Sequence, residues 1–224
     1  MGKGKLAKFK EVETFTHVFQ PKYDEVLQNN FALKGKWYKY FRNHNPIVLE
    51  LGCGKGEYTV ALAEKYPEKN YIGIDIKGAR IWRGAKITHE KQLKNIAFIR
   101  TRIEFIFSFF DRDEISAIWI TFPDPQLPKR RAKKRLTANR FLDLYKQILT
   151  KDHHIYLKTD SKELYDFTLQ VLSDRKAIIH KKTTDIYTHF PNDSLLTGIK
   201  TFYEKMFIDE GKTITFIDFT LLDE

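Results

Sequence analysis

The apolar positions of this chain fall into short unbroken runs separated by stretches of helical period. That alternation is the pattern of a parallel sheet and its crossover helices. Ile47-Val48-Leu49-Glu50-Leu51 reads as a buried strand that carries an acid near its end. Gly52, Gly54 and Gly56 follow at alternate positions, a turn where the backbone bends sharply and a ligand can come close. Residues Glu57 to Lys65 then show helical spacing. The same rhythm predicts a strand over Asn70–Ile76, a helix over 78–92, a strand over Asn95–Arg100 and a strand over Ile115–Phe122. It continues with a helix over Leu136–Leu149, a strand over His154–Asp160 and a helix over Ser161–Leu172. Two strands over 176–188 and 213–221 are expected to close the sheet as an antiparallel pair. With no repeat and no interior linker, the expected organisation is one domain, residues 46–224, behind a basic N-terminal extension, residues 1–45.

The glycine spacing departs from the dinucleotide fingerprint G-x-G-x-x-G, because the third glycine comes one residue early. Glu50 stands just before the first glycine. A carboxylate there would repel a diphosphate but suits a cation, and S-adenosyl-L-methionine carries both an ammonium and a sulfonium. Acid-x-Gly-x-Gly-x-Gly resembles the first motif of the Rossmann-like methyltransferases; the alternative is a glycine turn with no ligand. Asp75 ends the next strand about 20 residues on, where an acid receives ribose hydroxyls in related folds. Thr101-Arg102-Ile103-Glu104 follows the third strand at the rim where ligands sit in open parallel sheets; many S-adenosyl-L-methionine enzymes have an acid there against the adenine, and Glu104 is the candidate.

Charge narrows the partner. The 224 residues carry a net charge of +10, which favours a polyanion, either nucleic acid or an acidic membrane surface. No apolar stretch is long enough to span a bilayer, and Met1 to Leu6 has neither a signal-peptide core nor a myristoylation signal. A soluble, cytoplasmic protein is expected. The single cysteine, Cys53, excludes an internal disulfide and reads as a small residue in the glycine turn. His153 and His154 are adjacent, so on a strand they face opposite ways and make a poor metal pair; no metal is expected.

Two segments interleave cations with other features. Lys3, Lys5, Lys8 and Lys10, then Lys34 to Arg42 with Trp37, Tyr38, Tyr40 and Phe41, could hold phosphates and stack bases. Equally, Trp37 and Phe41 could pack against the domain. Pro123-Asp124-Pro125-Gln126-Leu127-Pro128 ends the fourth strand in a stiff loop that presents Asp124. Residues 129 to 135 then place six cations in seven positions, read as a phosphate-binding site.

These later motifs resemble those of the tRNA (guanine-N7)-methyltransferases. The resemblance rests on Phe122 to Arg131, Lys134-Arg135-Leu136-Thr137, Leu157-Lys158-Thr159-Asp160, Thr201-Phe202-Tyr203-Glu204 and Lys34-Gly35-Lys36-Trp37. The pieces occur in the family's order and cover nearly the whole chain. The resemblance implies an α/β, Rossmann-like methyltransferase fold, with a mostly parallel central sheet, an antiparallel final pair and helices on both faces. It implies methyl transfer from S-adenosyl-L-methionine to N7 of a guanine in the tRNA variable loop; a monomer or homodimer, with neither metal nor membrane, is expected. Glu50, Gly52, Gly54, Asp75 and Asp124 would bind the cofactor, and Asp124 would also serve catalysis. Lys129, Asp160, Thr201, Phe202, Tyr203 and Glu204 would bind the RNA. The family's loop often reads Asp-Pro-Trp-Pro, where this chain has Gln126-Leu127 and one extra residue. Its acid after the third strand aligns with Arg102, leaving the adenine end to a backbone group at Arg102 or to the Glu104 side chain. The rival activities are an amino-methyltransferase, a nicotinamide-dependent dehydrogenase and a non-catalytic RNA-binding protein.

Overall fold

The computed structural model describes residues 3–222, without the side chains of Lys3 and Lys5. Met1, Gly2 and the two cations expected at Lys3 and Lys5 therefore lie outside the described residues. The strands are β1 (Val18–Phe19), β2 (Ile47–Leu51), β3 (Asn70–Asp75), β4 (Ile96–Arg100), β5 (Ile115–Thr121), β6 (Leu149–Thr159), β7 (Ile178–Thr183) and β8 (Thr215–Thr220). The helices are α1 (Lys3–Thr14), α2 (Tyr23–Leu27), α3 (Trp37–Phe41), α4 (Glu57–Lys65), α5 (Gly78–Glu90), α6 (Asn139–Lys146), α7 (Lys162–Asp174), α8 (Ile186–His189) and α9 (Phe202–Asp209). Short 3-10 segments cover Ile103–Ser108 and Lys129–Lys134.

All the strands join one sheet in the order β1-β4-β3-β2-β5-β6-β8-β7. The ladders from β1 to β6 are parallel, and β8 runs antiparallel between β6 and β7. The expected fold class is thus the observed one. The strand order reverses on either side of β2, which places a ligand crevice at the carboxyl ends of β2, β3 and β5. All five residues of β2 are buried, because helices cover both faces of a parallel sheet.

Side-chain parity decides which face each residue serves. Ile47, Leu49 and Leu51 join the core layer that holds Trp37, Phe41, Phe109 and Tyr145. Val48 joins the opposite layer with Tyr58, Phe98, Trp119 and Phe216. Glu50 shares the parity of Val48 and so points toward α4. On β6, His154, Tyr156 and Lys158 share one face in the same way, and Asp160 follows just past the strand's end.

Several boundaries differ from expectation. The helix predicted over 136–149 is only Asn139–Lys146, because Glu114 and Ile115 donate to the Ile148 carbonyl and draw the chain into the ladder. As a result β6 starts at Leu149 rather than His154, with an irregular register opposite Ile115 to Ala117. The strand predicted to reach 188 stops at Thr183; Asp185 accepts N–H bonds from Tyr187 and Thr188 and starts α8. Near the N-terminus, β1 pairs with β4. Trp37 is fully buried and Phe41 nearly so, with the Trp37 indole donating to the Phe109 carbonyl at 3.0 Å. Those two rings belong to the core and cannot stack on bases.

Candidate active site

The glycine turn is built around Glu50. This carboxylate is 3 % exposed and accepts hydrogen bonds from the Thr59 hydroxyl on α4 and from the Thr121 hydroxyl on β5, the latter at 2.6 Å. Burial outweighs those bonds and pushes its pKa up to about 7, with the nearby Asp75 adding a smaller push. Such a group is an acceptor whose charge becomes favourable when a cation arrives. Directly beyond it, Gly52 has φ +74°, and a Cβ there would meet nothing within 4 Å. The turn is therefore open on the side a ligand would approach. Gly56 differs: an added Cβ would stand 2.7 Å from the Phe98 ring, so its role is close packing. Cys53 is buried in the turn, as its small size suggests.

Asp75 ends β3 and accepts the Gly54 N–H at 2.9 Å and the Lys77 N–H at 2.7 Å. Each carboxylate oxygen thereby keeps acceptor capacity for a diol. Gly52 links two small cavities. One, of about 80 Å³, is lined by Glu50, Tyr58, Thr121, Phe122, Thr201 and Tyr203. The other, of about 280 Å³, is lined by Asp75, Ile76, Arg102, Ile103, Glu104 and Phe141. Glu104 is exposed and paired with Arg140 at 3.1 Å. A larger cavity, of about 770 Å³, opens between Tyr40, Thr88 and Lys94. It lies beside the start of β4, away from every acid discussed here, so size alone does not mark the site.

The loop after β5 is stiffened by more than its prolines. Phe122 and Gln126 both adopt left-handed backbone, φ +46° and +47°, which costs about 1–3 kcal/mol for such residues. Asp124, exposed between them, accepts the Gln126 N–H at 3.0 Å. Arg135 holds the loop in this shape. It is 4 % exposed, donates to the carbonyls of Pro125 and Gln126 at 3.0 and 3.3 Å, and pairs with Glu163 at 2.5 Å. Its guanidinium also lies over the Phe167 ring. The expectation that all six cations of residues 129 to 135 face phosphates is therefore corrected. Lys129, Arg130, Arg131, Lys133 and Lys134 are exposed, whereas Arg135 is a clamp.

The start of α9 docks on the glycine turn. Glu57 accepts the Phe202 N–H at 2.9 Å, and Lys55 lies over the Phe202 ring. The Thr201 hydroxyl caps α9 by accepting the Glu204 N–H. Phe202 and Tyr203 are exposed, but Glu204 is fully buried. Its Oε1 pairs with Lys158 at 2.7 Å and accepts the Tyr187 hydroxyl at 2.6 Å. Lys158 also donates to the Leu196 carbonyl at 2.7 Å, tying the loop before α9 to β6. In the sequence Lys158 stands out only as a member of the Leu157–Asp160 motif, with no role of its own, and nothing local distinguishes Tyr187 from a surface residue. Glu204 Oε2 and the Tyr58 hydroxyl are buried with no hydrogen-bond partner among the described residues. At the carboxyl end of β6, Asp160 lies 3.4 Å from Lys212.

The structure therefore gathers Glu50, Gly52, Thr201 and Tyr203 at one cavity, and Gly52, Asp75, Arg102 and Glu104 at the next. It leaves Asp124 and Lys129 exposed on the adjoining rim. Comparison with known proteins bears on family and fold. The Methyltransf_4 methyltransferase family model matches residues 44–217. A tRNA (guanine-N(7)-)-methyltransferase of Christiangramia forsetii is 52 % identical over 98 % of this chain and 98 % of its own. Its counterpart from Bacteroides fragilis is 46 % identical over 100 % of this chain and 88 % of its own. Among solved structures, one titled as an antibiotic-related methyltransferase superposes with a TM-score of 0.63 at 16 % identity, covering 84 % of this chain and 94 % of that one. That likeness speaks to fold alone.

Proposed function

The chain belongs to the tRNA (guanine-N7)-methyltransferase family, and from that premise we propose that the guanine it methylates lies in the variable loop of tRNA. It is an S-adenosyl-L-methionine-dependent enzyme acting on guanine N7. The dehydrogenase, amino-methyltransferase and non-catalytic alternatives fall with that membership. The observation that carries the site assignment is Glu50, a buried carboxylate that lines one cavity with Gly52, whose Cα side is open.

The residues present fit the cofactor. Glu50 and the Gly52 opening would hold its cationic amino-acid end, and Asp75 its ribose hydroxyls. Gly54 fixes Asp75 through its N–H. Arg102 and Glu104 flank the cavity for its adenine end. When bound, S-adenosyl-L-methionine supplies a methyl group made electrophilic by its sulfonium. Guanine N7 offers a lone pair and carries no proton, so no side chain has to act as a base. What this chain contributes is placement, which can supply much of the rate, and a fixed negative charge where the purine ring becomes positive. Asp124, held by the Arg135-clamped loop, is assigned that charge and a share of cofactor binding. Lys129 and its exposed neighbours would grip phosphates. Asp160, Thr201, Phe202 and Tyr203 would line the path of the base. Glu204, fully buried in its pair with Lys158, would serve the RNA indirectly, by holding the start of α9 and its exposed Phe202 and Tyr203 in place.

We assign catalysis to residues 46–224, with residues 1–45 as an extension docked through β1 and the buried Trp37. No helix among the described residues is long and apolar enough to cross a membrane. We place the enzyme in the cytoplasm with its tRNA, as a monomer or homodimer. The test is incubation with labelled S-adenosyl-L-methionine and unmodified tRNA, followed by nuclease mapping. Label at N7 of a variable-loop guanine is expected; label confined to another loop would overturn the proposal.

A further inference from the structure

The antiparallel end of the sheet brings together three side chains that no part of the methyl-transfer account uses. His154 lies on β6, Asp218 on β8 and His180 on β7. Each presents one ligand-capable atom, and these atoms lie within 4.8 Å of one another. We propose that His154, His180 and Asp218 form a binding site for a divalent transition-metal ion of the zinc class. Two imidazoles and one carboxylate are a donor set such ions prefer, with water completing the coordination.

The strand pairing explains how the three meet. Tyr156 pairs with Asp218 across β6 and β8, which puts His154 two residues along on the same face. On β7 the register shifts between Ile179 and Lys181, so His180 is the extra residue of a bulge, a device that re-aims a side chain. Rings and hydrogen bonds hold the side chains. His154 stacks on Tyr156 with an interplanar angle of 7°, and its centroid is 4.9 Å from that of His180.

Proton bookkeeping leaves both neutral imidazoles a nitrogen able to bind metal. Thr220 donates its hydroxyl proton to the His153 carbonyl at 2.7 Å. It must therefore accept from His180 Nε2 at 2.8 Å, which places the lone pair of His180 on Nδ1. Asp218 accepts from His154 Nδ1 at 2.7 Å; to ligate, the neutral ring carries its proton on Nε2 instead, so that the ion takes the proton's place between Nδ1 and the Asp218 carboxylate. Bonds of about 2.0–2.2 Å to a tetrahedral ion put its ligand atoms roughly 3.3–3.6 Å apart, an adjustment that side-chain rotation on three hydrogen-bonded strands can supply. The ion would tie edge strand β7 to β6 through β8. In the proposed site the partner of His154 comes from another strand and not from the adjacent His153.

The probe is Zn²⁺ titrated into untagged protein by calorimetry near neutral pH, with Co²⁺ as spectroscopic reporter. One ion per chain is expected, at micromolar affinity or tighter. Co²⁺ should give a visible ligand-field band without thiolate charge transfer, because Cys53 is buried. His154→Ala and His180→Ala should each weaken binding at least about tenfold, while tRNA methylation and the circular dichroism spectrum stay as in the wild type. Two results would overturn the site: no saturable Zn²⁺ binding up to about 1 mM, or undiminished binding by the folded His154→Ala/His180→Ala double variant.

Discussion

Replacing Glu50 by Gln separates what the protein needs to fold from what it needs to bind its cofactor. The carboxyl has an ordinary pKa of 4.5 and is pushed up to about 7 in the folded chain. A raised folded-state pKa means that the folded protein holds the proton more tightly than the unfolded chain. Its stabilising effect is complete below pH 4.5 and is lost as pH rises through 7. Between about pH 5 and pH 8 the loss amounts to roughly 2–3 kcal/mol. For a chain of this size that corresponds to a melting point lower by about 5–10 °C. Gln keeps the shape and can still meet the hydroxyls of Thr59 and Thr121, but it never ionises. The ligand-free Glu50→Gln protein should therefore melt higher than the wild type at pH 8 and nearly alike at pH 5. Cofactor binding should move the other way. Loss of a buried charge partner costs about 2–4 kcal/mol, or roughly 30- to 1,000-fold in Kd. In the wild type, Kd should also rise about tenfold from pH 8 to pH 6 as Glu50 takes up a proton. Differential scanning calorimetry and isothermal titration across that range read both effects. Superimposable pH–stability curves for the two proteins would refute the argument.

Other outcomes follow from the rim and the buried network. Asp124→Ala should retain tRNA affinity and lose single-turnover methyl transfer by about 10²–10³-fold; near-normal turnover would remove Asp124 from the mechanism. The logarithm of tRNA affinity should fall steeply with the logarithm of salt concentration. Alanine at Lys129, Arg130 or Arg131 should each lower that slope by about one, whereas Arg135→Ala should leave it unchanged. Arg135→Ala should instead slow turnover and cost about 1–3 kcal/mol of stability, because it strips donors from the loop carbonyls; equal salt slopes for Arg131→Ala and Arg135→Ala would contradict this division of labour. Lys158→Ala leaves Glu204 buried without its cation and should destabilise the chain by about 3–5 kcal/mol, measured by urea unfolding.

The parts of the site legible in the sequence are those whose chemistry is local. β2 is a continuous apolar run because both its faces are covered, and Glu50 interrupts that run at the one point where a charge has a use. Gly52 and Asp75 follow at spacings the fold dictates. Non-local features were hidden for physical reasons. Arg135 is one cation among six, and only its packing over Phe167 and its bonds to the loop carbonyls set it apart. Lys158 sits in a strand at the parity of Tyr156, and its burial depends on Glu204 arriving from α9. The early start of β6 was obscured by the exposed Lys151 and Asp152, which break the apolar pattern. Likewise α8 depends on Asp185 capping four residues, too few to show a helical period.

The central claim is that acids at the ends of adjacent parallel strands hold a positively charged methyl donor. A crystal structure with S-adenosyl-L-methionine bound tests it most directly. The account predicts the amino-acid end over Gly52 beside Glu50 and the ribose hydroxyls on Asp75. A donor bound clear of both carboxylates would contradict it.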